Sequence, residues 1–396
     1  MRLAAVRRKL ARVDRAIDRA IQKGELPGAV VVSVLTGEPG EARGPDEGAP
    51  APLRSGEELS YEAVHGAAVL SPERHEARAD TVYDLASLTK TMATAPALML
   101  LLAEGKLALD QPVCEILPAF AERGKEKIRV RQLLAHCSGL RPWRAYHADL
   151  RERERKTGNR LLATPEGRDS IVGRILRGAP VHEPGEASVY GDLGFIVLGE
   201  VVAELAQEGL DAFCARRIYE PLGMADTGFR SVPFTGARSR IAATEDCPWR
   251  DKVVWGEVHD ANAWAMAGVA GHAGLFGTAD DVLRFAREML AADRGESEIF
   301  PQEIAREFFR RQELTEGSDW ALGWDTPTSG RSTSGQYFSP RSIGHTGFTG
   351  TSVWIDLERG WMVVLLSNRV HLVAKRSRFE LRPAVHDLIW EGFLAA

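Results

Sequence analysis

YDLASLTKTMAT, residues 83–94, sets a serine and a lysine three residues apart at the head of an apolar helical run. Positions i and i+3 lie on one helix face, a turn apart, so Lys90 can reach the Ser87 hydroxyl. The first turn of a helix leaves backbone N–H groups unpaired at the positive end of the dipole, where a developing oxyanion is stabilised. Desolvation lowers the pKa of a buried lysine, which can then take the serine proton. Nucleophile and base are thus present without a histidine. Alone, Ser-x-x-Lys is a short pattern that also fits an N-capping serine beside a solvated lysine.

Two distant stretches bear on the choice. VHEPGEASVYGDLGF (181–195) puts Tyr190-Gly191-Asp192 after a Pro-Gly turn and just ahead of a helix. A tyrosine beside a lysine can share its proton and relay it to a leaving group. SIGHTGFTGTSVWID (342–356) puts His345-Thr346-Gly347 at the start of a strand, with a glycine that lets a substrate approach the backbone. An edge strand there can supply an oxyanion N–H from Phe348.

Outward from these stretches the chain divides by pattern. PGAVVVSVL (27–35) is β-branched and reads as a core strand, and YEAVHGAAVL (61–70) as its return. The Gly-, Pro- and charge-rich residues 36–60 between them predict a long exposed connection. Residues 87–104 read as a helix stopped at Gly105 and kinked at Pro96, which lacks a backbone donor. The middle is mostly helical, with apolar spacing at 130–140, 191–210 and 278–292, the last capped by Thr278. Residues 351–369 read as two strands joined at Glu358-Arg359-Gly360, and 381–394 as a terminal helix. Strands at both ends and helices between them predict an α/β (α+β) fold, a sheet built from both termini with a helical region inserted. Leu3, Val6, Leu10, Val13, Ile17 and Ile21 recur at helical spacing, so residues 1–26 predict an amphipathic helix docked on the body. Residues 27–396 are then one domain, with a sheet subdomain at about 27–85 and 340–396 and a helical subdomain at about 86–339.

Composition limits the function. The 396 residues are 44% apolar and 27% charged, ordinary for a globular protein with a sizeable core. A net charge of −5 gives no electrostatic case for nucleic acid. The longest apolar run, APALMLLLA at 95–103, is too short to span a bilayer. The N-terminus lacks a continuous apolar core and a small-residue cleavage site, which predicts a cytoplasmic protein. Cys114, Cys137, Cys214 and Cys247 fit no zinc or disulfide spacing. GVAGHAGLFG (268–277) lacks the P-loop Lys-Ser/Thr and reads as a structural turn, and His259 and His272 beside it form no metal motif. His136 reads as a hydrogen-bonded core residue. Trp143, Trp264 and Trp324 are candidates for an apolar acyl pocket and equally for the core.

The three triplets, in this order, resemble the serine β-lactamase and penicillin-binding-protein superfamily, with its Ser-x-x-Lys, Ser/Tyr-x-Asn and Lys-Thr-Gly elements. The tyrosine in the second element is similar to the class C branch, which includes family VIII carboxylesterases and D-aminopeptidases. IRVRQLLAHCSGL, IYEPLGMADTGF and GVAGHAGLFGTADDVLRF also resemble family landmarks, so the likeness covers roughly residues 25–390. It implies the β-lactamase/transpeptidase-like fold, a mostly antiparallel sheet with flanking helices beside a helical subdomain. It implies Ser87 as nucleophile, Lys90 and Tyr190 as proton carriers, and the N–H groups of Ser87 and Phe348 as oxyanion hole. Asp192, His345, Thr346 and Gly347 then contact substrate, and no metal or organic cofactor is implied.

Two departures shape the expected substrate. Asp192 stands where the family has asparagine. An ionised carboxylate only accepts hydrogen bonds, and beside Lys90 it raises the lysine pKa and favours a relay centred on Tyr190. His345 stands where many members have lysine, and a histidine near neutral pH carries only part of a positive charge. A weaker grip on a substrate carboxylate follows. The sequence therefore predicts an esterase or amidase on small acyl substrates. The alternatives are a β-lactamase, a D-Ala-D-Ala carboxypeptidase or D-aminopeptidase, an acyltransferase, or a non-catalytic binding descendant.

Overall fold

The computed structural model describes residues 2–37, 53, 56–330, 332–371 and 379–394. Helix α1 (Arg2–Gln22) leads into strand β1 (Gly28–Thr36), followed by β2 (Glu58–Val69) and β3 (His75–Glu76). Strand β4 (Tyr83–Asp84) runs into a π-helical turn (Lys90–Thr94) and helix α2 (Ala95–Ala103). Helices α3 (Val130–Leu134), α4 (Tyr146–Thr157), α5 (Pro165–Leu176), α6 (Leu193–Ala206) and α7 (Leu210–Cys214) come next. The short strands β5 (Gly228–Phe229), β6 (Asp246–Cys247) and β7 (Lys252–Val253) precede helix α8 (Ala261–Ala265) and strand β8 (Leu275–Gly277). Helices α9 (Ala279–Arg294) and α10 (Gln302–Phe309) then lead to β9 (Ser342–Thr346), β10 (Ser352–Asp356), β11 (Trp361–Ser367) and α11 (Leu381–Phe393).

One six-stranded antiparallel sheet joins the two ends of the chain in the order β3-β2-β1-β11-β10-β9. β1 and β11 lie at its centre, with Val31 opposite Leu365. Both are buried on both faces, which is why each reads as a continuous apolar run and not as an alternation. Val30, Val364 and Leu366 share a core with Val282, Phe285 and Met289 of α9. Val31, Val363 and Leu365 share the opposite core with Val13 and Ile17 of α1 and Val385, Ile389 and Trp390 of α11. Asp14 accepts the Tyr61 hydroxyl at 2.7 Å, and Asp18 lies 2.9 Å from the His65 ring, so the acidic residues of α1 hold it to β2. Among the described residues no helix is long and apolar enough to cross a membrane. The expected Leu3 side chain and most of the 36–60 connection (38–52, 54 and 55) lie outside the described residues.

One sequence expectation holds with a refinement and one needs correction. Residues 88–103 are helical without a break, as expected, and the disturbance at Pro96 takes a specific form. The N–H groups of Leu88, Thr89 and Lys90 bond back to the carbonyls of Leu85, Ala86 and Ser87, a tight turn. The chain then widens, with Ala95 N–H bonding to Lys90 O, and α2 begins at the residue before Pro96. The helix thus absorbs Pro96, which has no N–H to donate, by widening over Lys90–Thr94 just ahead of it. The correction falls at His345 and Thr346, which end β9 and do not start a strand. Gly347 N–H bonds to Thr351 O and turns the chain into β10. β9 is the sheet edge, as expected.

Candidate active site

Ser87 is delivered by a strained turn. β4 is pinned in a small sheet by β8, with Asp84 opposite Phe276, and the chain then bends at Ala86, whose φ is +49. That left-handed conformation disfavours a residue with a Cβ. Three bonds hold it: Ala86 N–H donates to the Asp84 carboxylate at 2.8 Å, Thr89 Oγ1 donates to Ala86 O at 2.6 Å, and Leu88 N–H reaches Leu85 O. Among the described residues no acceptor takes the Ser87 N–H.

Lys90 has no exposed side-chain surface and sits beneath the serine. Its ammonium lies 3.1 Å from Ser87 Oγ, 2.7 Å from Tyr190 Oη and 2.7 Å from Asp192 Oδ1. Burial pulls the lysine pKa down, but the oxygens of Tyr190 and Asp192 outweigh it and the pKa stands above its ordinary value. The expectation of a deprotonated lysine therefore fails, and the effect expected of Asp192 holds.

Tyr190 is 40% exposed and reaches the lysine from the segment ahead of α6. His136, Trp320 and His345 surround its ring at centroid distances of 4.7, 5.3 and 5.7 Å. His136 is a buried packing residue, as expected, and its Nδ1 accepts the Gly191 N–H at 3.4 Å. His345 differs from expectation. Burial first, then the Lys90 and Arg382 charges, push its pKa down to about 3, so it is neutral near pH 7. Its Nδ1 faces Thr346 O at 2.9 Å and so carries the hydrogen.

A cleft of 1110 Å³ opens over these groups. Every site residue expected from the sequence except the buried Lys90 lines it: Ser87, Tyr190, Asp192 and the run 345–348. Trp143 lines it too, whereas Trp324 is fully buried in the core and Trp264 packs behind Trp249 at 5.4 Å. The aromatic wall is instead Trp143, Trp249, Trp320 and Phe348.

Several cleft groups carried no usable signal in the sequence. Asp260 lies 2.9 Å from His272 and within 4.8 Å of Asp192, a trio whose spacing could hold a metal ion. The Lys90 ammonium already occupies Asp192, and the Ala263 N–H and His272 occupy Asp260, so the trio reads as a hydrogen-bond network. Burial pushes Asp260 up, but His272 and the Ala263 N–H hold its carboxyl below the usual range. Arg382 on α11 is 8% exposed and donates to the carbonyls of Gly347 and Thr351 at 2.7 and 3.0 Å. Among the described residues carbonyls and no carboxylate pair with it, and burial and Arg369 push its pKa down to about 9. Its partners lie 35 and 31 residues away, beyond the reach of any local pattern.

Comparison with known proteins gives the family. The family profile described as Beta-lactamase matches residues 13–385. A protein of Escherichia coli (strain K12), provisionally named a D-alanyl-D-alanine carboxypeptidase, is 32% identical over 344 residues, 79% of this chain and 76% of that one. EstCE1, a hydrolase with promiscuous acyltransferase activity, has a TM-score of 0.69 at 21% identity, with 99% of this chain and 100% of that one covered. The octameric penicillin-binding protein homologue of Pyrococcus abyssi has a TM-score of 0.67 at 19% identity, covering 97% of this chain and 77% of that one. The chain belongs to the beta-lactamase family and is a serine hydrolase.

Proposed function

We propose that Ser87 is the nucleophile of an esterase or amidase acting on small acyl substrates. One observation carries the reading: a single buried ammonium touches Ser87 Oγ, Tyr190 Oη and Asp192 together. Lys90 stays charged, so it serves as a fixed countercharge and not as the base. Tyr190 enters the reaction as a phenolate paired with the Lys90 ammonium, and the Ser87 proton passes to that oxygen as Ser87 Oγ bonds to the acyl carbon. The carbonyl oxygen takes the charge, held by the N–H groups of Ser87 and Phe348. Collapse expels the leaving group, protonated by Tyr190, and leaves an ester on Ser87. Water then attacks that ester, giving its proton to the same tyrosine oxygen, and restores Ser87. Asp192 holds the ammonium in place, and the run 345–347 guides the substrate along the edge strand. A neutral His345 and an aromatic wall favour uncharged acyl groups. The four free thiols, three of them buried, fit a reducing compartment such as the cytoplasm.

Arg382 supports a second reading, because a buried cation without a carboxylate partner can bind a substrate carboxylate in place of the strand lysine. It fits the name carried by the Escherichia coli relative. One experiment separates the outcomes. Intact-mass spectrometry with a fluorophosphonate probe should give one adduct that Ser87→Ala abolishes, and Ser87→Ala should lose p-nitrophenyl ester turnover by about 10³-fold or more. Ester turnover far above that of the anionic lactam nitrocefin supports the first reading, and the reverse supports the second. No adduct and no turnover would leave a binding protein.

A further inference from the structure

We infer that Asp84 is a positioning residue that sets both halves of the oxyanion hole through backbone bonds. The inference rests on the proposed donors, the N–H groups of Ser87 and Phe348. Asp84 is 2% exposed and lies in β4. One carboxylate oxygen accepts the Ala86 N–H at 2.8 Å, and the other accepts the His259 N–H at 2.7 Å. Its own carbonyl accepts the Thr349 hydroxyl at 2.8 Å. Each partner adjoins a donor. Ala86 is the strained residue immediately before Ser87. The His259 ring stacks on the Phe348 ring at 5.4 Å, and Thr349 follows Phe348. One side chain and its carbonyl therefore tie together the nucleophile turn, the 259 segment and the turn after β9.

These contacts require a carboxylate. Two N–H groups approach its two oxygens, whereas an asparagine offers one oxygen and one NH2, so one contact becomes donor against donor. Burial raises the Asp84 pKa, with the His259 and Ala86 N–H groups pulling the other way. No lysine or arginine among the described residues pairs with it. Such a charge costs the fold stability and is retained where the geometry it imposes matters.

Asp84→Asn tests the inference in the full chain. The change is nearly isosteric, and the loss of a buried charge offsets the donor-against-donor contact, so the thermal midpoint should move by only a few degrees. The kcat for p-nitrophenyl acetate should fall about 10²-fold with KM within about threefold, the loss expected when an oxyanion donor is displaced. Phenylboronic acid gives a second readout that a merely structural role would not move. Its boron accepts the Ser87 oxygen, the serine proton passes to Tyr190, and a boron hydroxyl occupies the oxyanion position. Its affinity should fall by about the same factor as kcat. Equal kcat and boronate affinity in variant and wild type would overturn the inference alone, provided the wild type takes the fluorophosphonate label at Ser87. An unlabelled wild type would overturn the nucleophile and the inference together. Should Asp84→Asn not fold, Thr349→Val removes the bond to the Asp84 carbonyl at nearly constant volume. A loss of about tenfold in both quantities is then expected, and no loss overturns the inference.

Discussion

Asp192 decides which atom of the site moves a proton. Its carboxylate, 2.7 Å from the Lys90 ammonium, helps to keep the lysine charged against complete burial. Asp192→Asn removes that charge and leaves burial opposed by Tyr190 alone. Lys90 should then lose its proton at lower pH, and the alkaline limb of the kcat/KM profile for a neutral ester should move down by about one pH unit or more. A pH–rate profile from pH 5 to 10 on both proteins checks this, and an unmoved alkaline limb would show that Asp192 does not set the charge. At this scale the sequence was readable where chemistry is carried by spacing. Ser87 and Lys90 are three residues apart, and the tyrosine and histidine triplets stand in order. It was not readable where burial decides. His345 is neutral because it is enclosed beside Lys90, and Arg382 belongs to the cleft only because α11 packs against the turn after β9.

The elements that carry the site are held by backbone contact as much as by side chains. At Gly271, a Cβ would overlap the Phe195 carbonyl of α6, and Gly199 of the same helix approaches the Gly271 backbone within 3.1 Å of where its own Cβ would lie. Thr94, at the end of the π-helical turn, donates to Gly271 O at 2.6 Å. Helix α6, the lysine-bearing turn and the loop that presents His272 thus share one tight junction. Gly271→Ala cannot be relieved by moving a flexible side chain, so it should cost about 1–3 kcal/mol and lower the calorimetric midpoint by about 1–4 °C. An unchanged midpoint would show that the junction can spread. The long elements were legible because period and caps agree: β1, β11, α6, and α9 with the Thr278 side chain accepting the Asp281 N–H. The small sheet β4-β8-β5 was not, since strands of two or three residues hold no period, although it is what pins the segment before Ser87. The π-helical turn was also hidden, because Pro96 marks a break without saying how the preceding turn absorbs it.

The whole molecule buries a central sheet between two cores, and the opposed strands from the two chain ends made that much legible from hydrophobic pattern alone. What the pattern leaves out is the set of ionisable groups the cores enclose. Burial pushes His386 down to about 4, and His136, His345 and His371 are also lowered. The unfolded chain titrates these histidines near pH 6.5 and binds more protons below it. Their contribution is therefore complete above pH 6.5 and is lost as pH falls, by about 1.4 kcal/mol per histidine per pH unit until the folded pKa is reached. Asp325 acts with the opposite sign. Burial raises it to about 7, so below pH 7 the folded state binds the proton that the unfolded carboxylate, with its ordinary low pKa, does not. Its term grows more favourable as pH falls, offsetting one histidine. The histidines begin to titrate in the unfolded chain at once below pH 6.5, so the urea midpoint should decline between pH 6.5 and 5, opposed by Asp325 and by Asp84, Glu200, Asp281, Glu288 and Asp387, which burial also raises. Two variants resolve the signs. His386→Gln keeps a donor for Ser334 O and should flatten the decline. Asp325→Asn should raise stability at pH 8 and steepen the decline. Urea titrations of the three proteins at half-unit intervals from pH 5 to 8 measure both slopes. Parallel curves would mean that neither group changes its proton occupancy on folding, and the acid sensitivity would then have to come from the other three histidines or from carboxylates.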